Sequence, residues 1–164
     1  MCEYCGCQSI PAIAELTAEH DHVAGLISLV RDARARGDAA GMARLAREIA
    51  TVLGPHTQVE EQGLFPALEG DFGEHVASLT AEHRRIEAVL DEAAAGTPAD
   101  PAWPDRLMAV LHVLREHILT EQDGVFPAAL GFLGTEDWAA VDAVRERVGS
   151  SLPTAFPVSG RTGA

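Results

Sequence analysis

Apolar residues recur every three or four positions along most of the chain, and no stretch alternates with period two long enough to suggest a strand. From Ile13 to about Arg36 the stripe is Leu16, Val23, Leu26, Ile27 and Val30, and Gly37-Asp38 breaks it. A second helix is expected from about Ala39 to Leu68, with Gly54-Pro55 inside it. That proline lacks a backbone donor and should kink the helix just before His56. Gly70-Asp71 closes the element, and a third helix takes about Gly73 to Ala95 on Val76, Leu79, Ile86, Val89 and Leu90. After the loop Gly96-Thr97-Pro98-Ala99-Asp100-Pro101, a fourth helix covers about Pro104 to Leu130. A shorter fifth, about Thr135 to Val148, has Thr135 as its expected N-cap and acids in its first turn.

Four long helices joined by short connections predict an all-α fold, an up-down-up-down four-helix bundle with a short extra C-terminal helix. The domain plan is a cysteine-containing segment over 1–11, the bundle over 12–149 and a flexible tail over 150–164 with two prolines and two glycines. The helical rise of about 1.5 Å per residue turns this topology into a ruler. His20 and His56 lie roughly 24 and 27 Å from the first turn. His56 and His83 lie roughly 20 and 15 Å from the second, and His83 and His117 roughly 18 and 20 Å from the third. All four histidines should therefore share one layer of the bundle.

The same histidines head a duplicated pattern. Leu16-Thr17-Ala18-Glu19-His20 recurs as Leu79-Thr80-Ala81-Glu82-His83. His56-x-x-x-Glu60, followed by Phe65-Pro66, recurs as His117-x-x-x-Glu121, followed by Phe126-Pro127. Residues four apart stack on one helix face, so each His–Glu pair can present an imidazole and a carboxylate together. A carboxylate in that position can bridge two ions while each imidazole holds one. The expected metal ligands are His20, His56, His83 and His117 as terminal donors, with Glu60 and Glu121 as bridges. Imidazole with carboxylate suits iron or manganese, and less specifically zinc.

Composition narrows the function without changing the fold. The 164 residues are 47% hydrophobic and 23% charged, an ordinary globular balance, and suffice for one core without disulfides. A net charge of −13 argues against nucleic acid or an anionic membrane as partner. No apolar run is long enough to span a bilayer, and no signal-peptide pattern opens the chain, so a cytoplasmic location is expected. The three cysteines crowd into Cys2, Cys5 and Cys7, which fits a reducing compartment better than a disulfide framework.

On His20, His56-x-x-x-Glu60, His83 and His117-x-x-x-Glu121, the chain resembles the hemerythrin-like, HHE cation-binding family over about Leu16 to Leu130. The resemblance implies a bundle around two non-haem iron ions, oxo- or hydroxo-bridged, whose small-molecule partners are dioxygen, peroxide or nitric oxide. The same ligands also accept manganese. Oxygen-carrying members have two histidines one turn apart on the third helix, whereas here the position one turn before His83 is Leu79. His75 is roughly 12 Å from His83 along the axis, too far for the same ion. The carriers also place one more residue before an Asp on the last helix. Fewer imidazoles favour redox turnover, peroxidase-, catalase- or ferroxidase-like, over reversible storage. The alternatives are an oxygen or nitric oxide carrier or sensor, and iron handling or repair of iron centres. Some relatives with cysteine-bearing N-termini suggest the last, with a different cysteine pattern.

Several residues stand beside this set. Glu61 reads as an exposed acid or, alternatively, an extra ligand. Asp21 and His22 flank His20, with His22 on another face, and either can orient a ligand or pass protons. His112 is expected at the surface. Glu19 and Glu82 are either a shared outer layer around the ligands or a solvated face. Phe65 and Phe126 should pack the end of the core, and Pro66 and Pro127 should bend both helices at one place. Cys2, Cys5 and Cys7 fit a zinc site needing a fourth donor such as His22, redox or metal-handling thiols, or an inert terminus. Tyr4 is a candidate radical or ligand residue.

Overall fold

The computed structural model describes residues 10–152. Cys2, Tyr4, Cys5 and Cys7 lie outside the described residues, as does most of the C-terminal tail. Among the described residues there is no strand, and the fold is the expected helical bundle. Helix α1 spans Pro11–Ala35 and α2 spans Ala39–Val59. The turn between them uses Gly37 at φ 68°, which lets Asp38 N–H reach the Ala33 carbonyl at 2.9 Å. The Asp38 carboxylate then accepts from Gly41 N–H at 2.8 Å and starts α2.

The helix does not break at Pro55. It runs through the proline to Val59, because Pro55 lies on the partly exposed side, where the carbonyl it leaves undonated belongs to exposed Thr51. The irregularity comes five residues later. Glu60–Leu64 form a π-turn, and Phe65 N–H bonds the Glu60 carbonyl, one residue further back than in an α-helix. Pro66 follows, and its missing N–H removes the next α-type bond. The second half repeats this: Glu121–Val125 is a π-turn, Phe126 N–H bonds the Glu121 carbonyl, and Pro127 follows.

Helix α3, Phe65–Asp91, changes direction at Phe72, whose φ −130°, ψ 26° is not helical, so the second and third rods of the bundle meet at one residue. Helix α4, Trp103–Thr120, continues through its π-turn into α5, Phe126–Phe132. Helix α6, Thr135–Val148, packs against the first π-turn, where Gly63 passes so close to Val141 that a Cβ would lie 3.1 Å from the valine Cα. The cap of α6 differs from expectation. Gly134 is the N-cap, and Asp137 at the third helical position accepts from Gly134 N–H at 2.8 Å, leaving Thr135 as the first helical residue.

The core is divided into two apolar bodies. One gathers Val23, Ile27, Val30, Ile49, Ile86, Leu90, Trp103 and Leu111 toward the Gly37 turn and the 92–102 loop. The other gathers Ile13, Leu16, Leu64, Phe65, Leu79, Phe126 and Val141 beneath α6. Between them lies a layer of buried polar residues.

Candidate metal centre

That layer holds His20 from α1, His56 from α2, His83 from α3 and His117 from α4, all at most 5% exposed. Glu60 and Glu121, the first residues of the two π-turns, are fully buried beside them. The helices arrive antiparallel with matched spacing, so the imidazoles meet in pairs. His20 Nε2 lies 3.1 Å from His56 Nε2, and His83 Nε2 lies 3.0 Å from His117 Nε2.

The two carboxylates join the pairs. Glu60 directs Oε1 to His56 Nε2 at 3.1 Å and Oε2 to His83 Nε2 at 3.3 Å. Glu121 directs Oε1 to His117 Nε2 at 3.0 Å and Oε2 to His20 Nε2 at 3.2 Å. Two four-residue groups result, His20, His56, Glu60, Glu121 and His83, His117, Glu60, Glu121. In each, one donor atom per residue lies within 4.8 Å of all the others. The six residues read from the repeat are thus brought to one place, with both glutamates common to the two groups.

Outside this set, carboxylates hold three of the four rings. His56 Nδ1 meets Glu19 Oε2 at 2.8 Å, His117 Nδ1 meets Glu82 Oε2 at 2.7 Å, and His83 Nδ1 meets Glu61 Oε1 at 2.8 Å. In a neutral ring such a bond puts the proton on Nδ1 and leaves Nε2 facing inward as a donor atom. Glu19 and Glu82, repeat equivalents, reach across to the histidine of the neighbouring helix. Glu61 is neither an exposed acid nor part of the six-residue set, since its other oxygen pairs with Arg84 and the π-turn swings it toward His83. Phe126 stacks on His20 with ring centroids 5.7 Å apart, and Phe65 on His83 at 5.9 Å. The phenylalanines therefore pack the core against the histidine rings and not merely at its end.

Arg145 and Ser150 have no counterpart in the duplicated pattern. Arg145 of α6 donates to both oxygens of Glu19 at 2.8 and 2.9 Å, and Ser150 Oγ donates at 2.8 Å. Asp21, His22, His75 and His112 are exposed and outside the centre.

The chemistry of the cluster suits cations. All four oxygens of Glu60 and Glu121 are buried without a hydrogen-bond partner, as is His20 Nδ1. Paired inward lone pairs and orphaned carboxylate oxygens repel one another unless protons or metal ions lie between them. Burial pushes the His56 pKa down, but Glu60 and Glu19 outweigh it and lift the value to about 10. Burial likewise lowers His117, and Glu121 with its neighbouring acids raises it to about 9. Burial would raise Glu60, yet His56 and His83 hold it well below the ordinary carboxylate range. The residues present therefore fit bound metal cations, with two groups of imidazole and carboxylate donors that have both glutamates in common. A cavity of about 10 Å³ lies against the four rings, lined beyond them by Leu53, Thr57, Ile86, Glu87 and Leu114. That is room for about one water-sized molecule.

A family model described as the hemerythrin HHE cation binding domain matches residues 12–129. Among curated proteins, a DNA nickase from Nostoc sp. is 26% identical over 103 residues, which cover 57% of this chain and 29% of that protein. The chain thus spans less than a third of that relative's length. No solved structure matches the chain.

Proposed function

The chain belongs to the hemerythrin HHE cation-binding family, and from that premise we propose that it is a non-haem di-iron protein that turns over dioxygen or peroxide. The observation carrying this reading is the division of Glu60 and Glu121 between the two histidine pairs, beside a cavity of about 10 Å³. A bound iron pair supplies redox electrons and coordination positions open to a small molecule. An ion that prefers six donors would keep positions free, because the chain offers each only two imidazoles and two carboxylate oxygens.

The residues around the pair have separate tasks. His20, His56, His83 and His117 hold the ions as neutral imidazoles, and Glu19, Glu61 and Glu82 keep three of those rings in the metal-binding tautomer. Leu53, Ile86 and Leu114 give the cavity its hydrocarbon lining, and its size suits a diatomic or peroxide-sized guest. Leu79, 3% exposed, fills the position one turn before His83 with hydrocarbon in place of a further donor. That favours turnover over reversible storage. The same ligands would hold manganese. The DNA-directed activity in the relative's name is not carried over, since a net charge of −13 opposes a phosphate backbone.

The test is anaerobic ferrous loading followed by dioxygen and, separately, by repeated additions of peroxide. Two irons per chain and continued peroxide consumption are expected, with less iron retained by His56→Ala. A stable adduct that releases dioxygen under vacuum would replace the enzyme reading with a carrier. Iron content unaffected by His56→Ala would remove the assignment of the centre.

A further inference from the structure

The small cavity against the histidines is separated from solvent by little on one side of the bundle. A hollow of about 170 Å³ opens between α2 and α3, lined by Ala50, Leu53, Gly54, Glu87, Leu90 and Asp91. Leu53 and Glu87 line the inner cavity as well, so the same two side chains form the wall between them. Leu53 is 7% exposed, against 1% for Ile86 and 2% for Leu114, which makes it the least buried of the three apolar residues lining the inner cavity. Gly54 leaves the floor of the hollow bare, and a Cβ there would meet nothing within 4 Å.

A second hollow, about 240 Å³ between α1 and α4, also reaches the centre, but the residue it shares with the inner cavity is His20. A metal-held imidazole cannot swing aside without leaving its ion. A leucine can change rotamer at small cost. The mouth of the α2–α3 hollow carries two acids one helical turn apart, Glu87 and Asp91, with Arg84 paired to Glu87 at 2.7 Å. On a chain of net charge −13 that edge disfavours small anions and leaves uncharged molecules unhindered.

We propose that the cleft between α2 and α3, with Leu53 as its movable wall, is the route by which small uncharged molecules such as dioxygen, hydrogen peroxide or nitric oxide reach the metal centre. This rests on the two-ion reading above. Gly54 keeps the cleft open, and Leu53 sets the rate of passage.

The decisive variant is Gly54→Phe, whose Cβ meets nothing within 4 Å and whose ring is chosen to occupy the hollow, with Gly54→Ala as a control that adds one methyl and leaves it open. In ferrous-loaded protein, Gly54→Phe should slow stopped-flow nitric oxide binding about tenfold or more, Gly54→Ala should not, and Leu53→Ala should accelerate it. Iron content should stay at the unmodified level in all three. The companion measurement uses metal-free protein, reading the relaxation that dissolved dioxygen induces at the methyls of Leu53, Ile86 and Leu114. Gly54→Phe should weaken it. Unchanged nitric oxide rates or unchanged dioxygen relaxation in Gly54→Phe would overturn the route, as would slowing by Ala24→Phe in the other hollow instead. Failure of the unmodified protein to take up iron would overturn the two-ion reading, and the dioxygen relaxation would still decide the cleft.

Discussion

Arg145 grips Glu19 with two nitrogens, Nη1 to Oε1 at 2.8 Å and Nη2 to Oε2 at 2.9 Å, across 126 residues of sequence. Glu19 in turn holds His56 Nδ1, so the last helix reaches the candidate centre through one buried carboxylate. Burial would raise the Glu19 pKa, but His56 and Arg145 outweigh it and hold the value near 2, keeping the acid ionised. Glu19→Gln should weaken metal binding by roughly 10- to 100-fold. Arg145→Gln should act in the same direction with a smaller effect. Competition titration with a chelator measures both, and wild-type affinity in Glu19→Gln would show that the His56 ring needs no such support.

The metal-free protein should lose stability as pH rises. His56 and His117 have folded pKa values raised to about 10 and about 9, above the unfolded value of 6.5. Their contribution is therefore fully present below about pH 6.5 and is lost as pH climbs through 9 to 10. Thermal melts of metal-free protein should fall by several degrees across that window. Loaded protein should not show the same decline, and metal uptake near neutral pH should release protons. A flat metal-free profile would mean that these imidazoles are not protonated in the folded chain.

Gly63→Ala tests the seat of α6. The added Cβ would stand 3.1 Å from Val141 Cα, which is backbone and cannot rotate away. The expected cost is about 1–3 kcal/mol, read as a lower denaturation midpoint with unchanged slope. A neutral substitution would mean that α6 shifts freely over the π-turn.

Trp103→Ala probes the other end of the bundle. The indole is fully buried and donates Nε1–H to the Val89 carbonyl at 3.2 Å. Its removal should cost about 3–5 kcal/mol while the protein that remains folded keeps its capacity for metal, because the polar layer lies beyond this apolar body. Urea melts and metal content on the same sample separate the two effects.

The bundle and its histidine layer were legible because both depend on regular spacing. A constant rise per residue converts loop positions into heights, and the repeat marks which side chains share one. The π-turns broke that regularity. Each adds a residue to a turn, which the apolar stripe absorbs without visible loss of phase, so Glu61 appeared to face solvent when it reaches His83. The available sign was local: Glu60-Glu61-Gln62-Gly63-Leu64-Phe65-Pro66 and Glu121-Gln122-Asp123-Gly124-Val125-Phe126-Pro127 share their glutamate, glycine, phenylalanine and proline. Arg145 carried no such sign. It lies outside the repeat, and only the packing of α6 brings it to Glu19. Thr135 lost the cap to Gly134 because Asp137 closes the turn from inside the helix.

Sharing of Glu60 and Glu121 between the two histidine pairs gives the centre an uneven genetics. In the proposed two-ion centre each histidine serves one ion, so its loss should leave a chain with a single occupied position. Each glutamate serves both, so Glu60→Ala or Glu121→Ala takes a donor from the two ions at once, and metal-to-chain ratios should drop toward zero without stopping at one. On that proposal the pair stands or falls together through its carboxylates and can be dismantled singly only through its imidazoles.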